Sequence, residues 1–268
     1  VELIKAVVLG VVQGLTEFLP ISSSGHLVIG SQILDFQEKG IAFDVFLHLG
    51  TLLSVIIVFR QEIWAMILAP FQYSTGIRSE KVIDKLKWDL YIVISTIPAV
   101  IVGLYLKDSI EKVFSNLPLV FAMLSITGIL MIASRYLKCK NVELRGLHAL
   151  FIGCAQAMAI MPGLSRSGST IFTGMAMGID RQVVARFSFI MSIPAILGAV
   201  VLQTGELITH PPSPGSMINI AAGTVAASIS GYFAIVMLLD IIRKNRLQWF
   251  GYYCLILSFS GFIYILLS

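Results

Sequence analysis

Six uninterrupted apolar runs divide the chain, near residues 41–60, 86–106, 116–135, 183–204, 217–240 and 247–267. A helix needs roughly 20 apolar residues to cross a hydrocarbon layer about 30 Å thick, so each run predicts one transmembrane helix. Two further apolar stretches break this rule. They are GVVQGLTEFLPISSSGHLVIG, from Gly10 to Gly30, and GCAQAMAIMPGLSRSGSTIFTG, from Gly153 to Gly174. Each is interrupted midway by a proline and a cluster of serine and glycine (Pro20 to Gly25; Pro162 to Gly168), and each half is too short to span. The simplest reading is a pair of re-entrant helical hairpins, over residues 2–34 and 146–178. Irregular backbone at membrane depth is tolerated only where protein buries it or a wet cavity receives it, so the two breaks are expected to meet in the interior.

The two stretches also align without a gap. Gly10 falls on Gly153, Gln13 on Gln156, Ser22 on Ser165, Ser24 on Ser167 and Gly25 on Gly168, while Ser23 faces Arg166. Three crossings separate the hairpins, so the first enters from one side and the second from the other. The expected fold is an all-α membrane protein: six transmembrane helices plus two re-entrant hairpins in an inverted-topology repeat. It forms a single domain over 1–268, with a first repeat over 1–135 and a second over 146–268. Such repeats bring broken helices together near the midplane with half-helix N-termini pointing at an anionic ligand. Small residues four apart, Gly10 and Gly14, Gly153 and Ala157, Gly174 and Gly178, are expected to let the hairpin backbones pack closely.

Composition agrees. The chain is 57% hydrophobic and 13% charged, with a mean hydropathy of +0.89, far more apolar surface than a soluble core of this size could hide. The net charge of +4 does not indicate nucleic acid, because the basic residues sit between apolar runs. If the hairpins do not cross, most of the 19 lysines and arginines fall on one side: Arg60 to Lys87, Arg135 to Arg145, Arg181 and Arg186, and Arg243 to Arg246. The other side receives Lys5, Lys39, Lys107 and Lys112. The positive-inside rule then puts the basic side in the cytoplasm and both termini outside. The connection Gln61 to Lys87 reads as the longest loop, with its Glu62 to Ala69 part in the interface, and Thr204 to Ser216 as a rigid outer connector. Cys139, Cys154 and Cys254 show neither a disulfide framework nor a metal-site spacing. The first apolar run contains Glu17 and leads into a motif, so it is not read as a signal peptide.

Polar chemistry concentrates in the two breaks. In GLSRSGST, Gly163 to Thr170, hydroxyls, glycine amides and Arg166 precede a helix. Phosphate suits that set: a guanidinium fork for bidentate contact and amides free at a helix N-terminus. The plainer alternative is a turn whose arginine is satisfied by carbonyls. In the first break, Glu17 and His26 flank Pro20, so a turn can set the carboxylate beside the imidazole, orienting it as a base or nucleophile. Ser22, Ser23 and Ser24 are then candidate nucleophiles or donors. The competing arrangement pairs Glu17 with Arg166 and leaves His26 on backbone, and a proton relay is a third. Gln13, one turn before Glu17, could add a carbonyl oxygen to a divalent cation site. His48 in LHLGT reads as a hydrogen-bonded helix histidine, His148 and His210 as solvated, and Asp44 as a helix-end cap or a cavity residue.

The pattern Gln13-x-x-x-Glu17 followed by PISSSGH, with PGLSRSGST from Pro162 to Thr170, resembles the bacterial undecaprenyl-pyrophosphate phosphatases of the bacitracin-resistance type, whose signature is [E/Q]xxxE with PGxSRSxxT. The resemblance implies a bacterial plasma-membrane phosphatase that removes the terminal phosphate of a C55 isoprenyl pyrophosphate outside the cytoplasm. It would recycle the lipid carrier of cell-wall synthesis with a divalent cation, Mg²⁺ or Ca²⁺. It carries over Glu17, Ser23, His26 and Arg166 as catalytic, and Ser22, Ser24, Gly163, Ser165, Ser167 and Thr170 around the phosphates. Glu17 and Gln13 would face the metal. Many members have glutamate where this chain has Gln13, so Glu17 would be the charged ligand. The nucleophile stays open between His26, Ser23 and an activated water. Implied partners are the polyprenyl pyrophosphate and the membrane, with a second copy of the chain as a candidate. The rival function is a lipid or ion transporter, since inverted repeats with broken helices also build carriers.

Overall fold

The computed structural model describes residues 1–36, 41–105, 116–209 and 214–267. The regular structure of the described chain is helical, with turns and short loops between the helices and one isolated bridge between Val142 and Ile179. We number the helices α1 (Glu2–Phe18), α2 (Ser23–Ile33), α3 (Ile41–Val58), α4 (Arg60–Ser74), α5 (Glu80–Tyr105), α6 (Leu117–Ala133), α7 (Gly146–Met158), α8 (Arg166–Ala176), α9 (Arg181–Ile190), α10 (Ser192–Thr209), α11 (Pro214–Arg243) and α12 (Gln248–Leu267).

Among the described residues, five helical segments are long and apolar enough to cross a membrane: Glu80–Tyr105, Leu117–Tyr136, Arg181–Leu202, Gly215–Arg243 and Gln248–Leu267. The remaining expected crossing, near 41–60, differs from a straight span. It ends at Val58 and turns by 80° at Phe59 into α4, and it passes the same test only when the two helices are taken together. The expected long loop after it is therefore largely helix, and α5 starts at Glu80 rather than near 86. The fourth expected run is also divided, at Met191. Pro194, three residues on, has no N–H to return to the last turn of α9, which weakens the join.

Both predicted hairpins are present as helix pairs. Helices α1 and α2 pack on each other across residues 19–22, and α7 and α8 across 159–165. The small residues pack closely, as expected, and the structure supplies their partners. The glycine face of α1 lies on α11, where a Cβ on Gly10 would collide with the Gly223 carbonyl, and that of α7 lies on α5, where a Cβ on Gly153 would meet the Ser95 backbone. Gly174 sits under Val184 of α9. The hairpins are thus seated against long helices and reach each other only at their tips.

Two other seams hold the frame. Helices α6 and α12 meet where a Cβ on Gly251 would stand 2.6 Å from the Gly128 carbonyl oxygen, and Ser258 Oγ donates to Phe121 O at 2.6 Å. Helices α3 and α11 are joined by Ser54 Oγ donating to Ser228 O at 2.6 Å. Small residues let backbones approach and hydroxyls bond across, the two devices available where lipid removes the hydrophobic drive. The lipid-facing side of α5 is correspondingly apolar: Leu90, Val93, Ile97, Ile101 and Leu104 recur at helical spacing and are all exposed. Lys39, Lys107, Lys112 and His210 lie outside the described residues.

Candidate active site

The acid is fixed by the last turn of α1. Phe18, fully buried, meets Phe189 of α9 edge-on at 5.8 Å, and Phe189 lies 6.0 Å from Phe59. This aromatic clamp holds the end of the helix, and the neighbouring Glu17 side chain is only 8% exposed. Pro20 and the residues after it then turn the chain. Ser22 adopts φ 69, a left-handed conformation uncommon for a residue with a side chain. That turn starts α2: the Ser22 carbonyl accepts the backbone N–H of His26 at 3.2 Å.

The second break is built differently. Gly163 has φ +90, and a Cβ there would collide with the Val120 carbonyl of α6, so glycine alone fits on both counts. Thr127 of α6 secures the loop, donating to Gly163 O at 2.9 Å and accepting from Ser165 N at 2.9 Å. Ser165 caps α8, its Oγ accepting from Gly168 N at 3.1 Å. Arg166 is the first residue of that helix.

The two tips touch. Ser167 Oγ donates to Leu19 O at 3.3 Å, and a Cβ on Gly168 would stand 3.2 Å from Pro20. At the contact, Arg166 Nη2 donates to Glu17 Oε1 at 2.6 Å. The other carboxylate oxygen, Oε2, accepts from Ser23 Oγ at 2.6 Å and from Gln13 Nε2 at 3.1 Å. Both bonds to Ser23 and Arg166 are short, as expected where an acceptor is ionised. Burying such a pair costs solvation that the short contacts offset only in part. Polar capacity is left over: Arg166 Nη1 and Gln13 Oε1 are buried with no protein partner.

Of the arrangements the sequence left open, the structure has the one that pairs Glu17 with Arg166 and puts His26 on backbone, not the one that sets Glu17 beside His26. His26 directs Nδ1 to the Ser22 carbonyl at 2.8 Å and Nε2 to the Tyr253 hydroxyl at 2.7 Å. The left-handed Ser22 turns its carbonyl back over the first turn of α2, so the imidazole is satisfied by its own helix and by α12, and Glu17 is taken up by Ser23 and Arg166. Among the described histidines, the one that faces Glu17 is His48 of α3, with Nε2 3.9 Å from Oε2. Its Nδ1 makes the helix hydrogen bond expected of it, to Asp44 O at 2.7 Å. Sequence did not reveal that the opposite edge of the ring faces the acid. Tyr253 was missed altogether, since nothing in an apolar helix far along the chain marks one tyrosine from another.

The remaining expected residues divide. Ser24 is half-buried and 3.3 Å from Ser22 Oγ, beside the turn. Ser165, Ser167 and Gly163 are buried in the contact between the tips and α6. Thr170, expected at the phosphates, instead turns to α9, bonding Ser188 Oγ at 2.6 Å and the Arg166 carbonyl at 2.8 Å. Among the described residues, no group of three or more histidine, cysteine or acidic side chains could hold a metal ion. The unpartnered Gln13 Oε1 beside the Glu17 carboxylate does form a pair of oxygen donors. Two such donors suit a hard cation that takes its other ligands from phosphate and water, so the residues fit a cation brought with a substrate.

Residues 6–260 match the family model described as bacitracin resistance protein BacA. A protein of Methanobrevibacter smithii named undecaprenyl-diphosphatase is 41% identical over 98% of this chain and 97% of its own length. Proteins of the same name from Halothermothrix orenii and Desulfosudis oleivorans are 40% and 42% identical, each over 96% of both chains. With the match running nearly end to end and the two motifs meeting in one buried cluster, this multi-pass membrane protein belongs to the BacA family.

Proposed function

We propose that the protein hydrolyses undecaprenyl pyrophosphate to undecaprenyl phosphate and inorganic phosphate at the outer face of the bacterial plasma membrane. This would recycle the lipid carrier of wall synthesis and underlie the bacitracin resistance for which the family is named. The observation that carries the reading is the chain Ser23 to Glu17 to Arg166, with bonds of 2.6 Å on either side of the carboxylate. A hydroxyl already donating to a buried carboxylate is a primed nucleophile. Arg166 Nη1, buried and unpartnered, is a donor in reserve for a phosphate oxygen.

Ser23 Oγ attacks the terminal phosphorus and its proton passes to Glu17. The bond between that phosphorus and the bridging oxygen breaks, and undecaprenyl phosphate leaves with its new charge facing Arg166. Water then attacks the phosphoserine phosphorus, the bond from phosphorus to Ser23 Oγ breaks, inorganic phosphate leaves carrying the water proton, and Glu17 returns its proton to Oγ, restoring the Ser23 hydroxyl. Charge stabilisation by fixed donors supplies most of the rate in phosphoryl transfer. A divalent cation on Glu17 and Gln13, when bound, would neutralise phosphate charge.

The inverted repeat belongs to the same proposal, with hairpins entering from opposite sides and the basic loops in the cytoplasm. What supports it is the correspondence of partners: α1 packs on α11 as α7 packs on α5, while α6 packs on α12. The test is phosphate release from a long-chain prenyl pyrophosphate by purified protein in detergent. Quenching a reaction with substrate labelled in the terminal phosphate should leave label on Ser23. Ser23→Ala should lose both the label and at least 99% of turnover. Turnover near wild type in Ser23→Ala would transfer the attack to water or His26.

A further inference from the structure

His26 has both ring nitrogens occupied, and the identity of each partner fixes where the proton is. The Ser22 carbonyl, 2.8 Å from Nδ1, can only accept, so Nδ1 carries the hydrogen. In a neutral ring Nε2 is then bare, and the group 2.7 Å away, the Tyr253 hydroxyl, must be its donor. The two rings also lie nearly parallel, 15° apart with centroids separated by 5.6 Å. Tyr253 therefore does two things: its ring sets the plane of the imidazole, and its hydroxyl occupies the one nitrogen lone pair the ring could offer as a base. Its residue is 44% exposed on α12, so the phenol can leave without disturbing the core. The aromatic face survives in phenylalanine and the hydroxyl does not, which separates the two roles.

We propose that Tyr253 is a positioning residue of the site, a latch whose hydroxyl donates to Nε2 and so holds His26 as the Nδ1–H tautomer. The inference rests on the phosphatase reading for its kinetic part alone. Its direct test needs no turnover. Diethyl pyrocarbonate acylates unprotonated, accessible imidazole nitrogens, and peptide mapping by mass spectrometry resolves His26 from the three other histidines. In the full-length protein in detergent, His26 of Tyr253→Phe should be acylated at least about fivefold faster than in the parent. Nitrogen-15 NMR of histidine-labelled protein should show Nε2 unprotonated in both, moving toward the free imine position in the variant.

Turnover of a prenyl pyrophosphate by Tyr253→Phe should show kcat falling up to about fivefold, with KM within threefold. An imidazole freed of its latch loses orientation and no contact to the phosphates. A protonated Nε2 in the parent, or equal acylation rates in parent and variant, overturns the assignment. Were neither protein to release phosphate while the acylation difference held, the phosphatase reading would fall and the latch would stand. Phosphate release with equal acylation gives the converse.

Discussion

Glu17 and Arg166 are each the sole charged side chain in its apolar stretch, and the structure joins them at 2.6 Å. Removing one leaves the other buried without its counter-charge, which typically costs about 3–5 kcal/mol of stability. Arg166→Ala should therefore lower turnover a hundredfold or more, on the order of 3 kcal/mol of barrier. It should also lower the thermal midpoint in detergent. Millimolar inorganic phosphate should recover no stability in this variant while stabilising the parent, because a ligand adds stability only where its site persists. These two residues were legible in sequence because charge at membrane depth needs a reason. The pairing of Glu17 with Ser23 rather than His26 was not. It depends on the left-handed turn at Ser22, which a run of three serines does not announce. His48 was legible as a helix histidine but not as the neighbour of Glu17, since only the packing of α3 against α1 supplies that. His48→Ala should reduce kcat more than His48→Gln, whose amide keeps a polar group toward Oε2. Equal loss in the two would leave His48 a packing residue.

At the level of elements, the breaks matter more than the helices. Gly163 and Gly76 share almost the same backbone, φ +90 and φ +91, but only Gly163 has a carbonyl where a Cβ would go. Gly76→Ala should cost about 1 kcal/mol, the strain of a left-handed alanine, and leave turnover intact. Gly163→Ala should cost at least twice that and displace Arg166, and thermal unfolding with turnover measured on both variants checks the contrast. Both hairpins could be read from sequence, because proline followed by serine and glycine cannot continue a helix. The turn at Phe59 could not. The stretch after it, RQEIWAMILAPFQYS, holds polar residues and Pro70 and reads as a loop, yet it folds as α4 with Trp64, Ile67 and Phe71 exposed along one side. Helical spacing of those three was the available signal. Its mixed polarity masked it.

For the whole molecule, the proposed topology sets Asn116 outside and Lys138 in the cytoplasm, at opposite ends of α6. In a background with Cys139, Cys154 and Cys254 replaced, a membrane-impermeant maleimide should label Asn116→Cys on intact cells and Lys138→Cys only after lysis. The reverse pattern would invert the protein and its site. The all-helical class and most of the apolar helices were readable from hydropathy, because lipid leaves few alternatives to a helix bundle. The seams were not, since which small residues face which backbone is decided in three dimensions. One consequence follows from the division of the buried pair between two distant motifs. While the polypeptide is being synthesised, the acid and its serine are inserted long before the guanidinium exists, and throughout that interval the nascent chain is inert. Premature termination anywhere before Arg166 yields a membrane fragment holding an acid without its counter-charge and only half of the buried cluster.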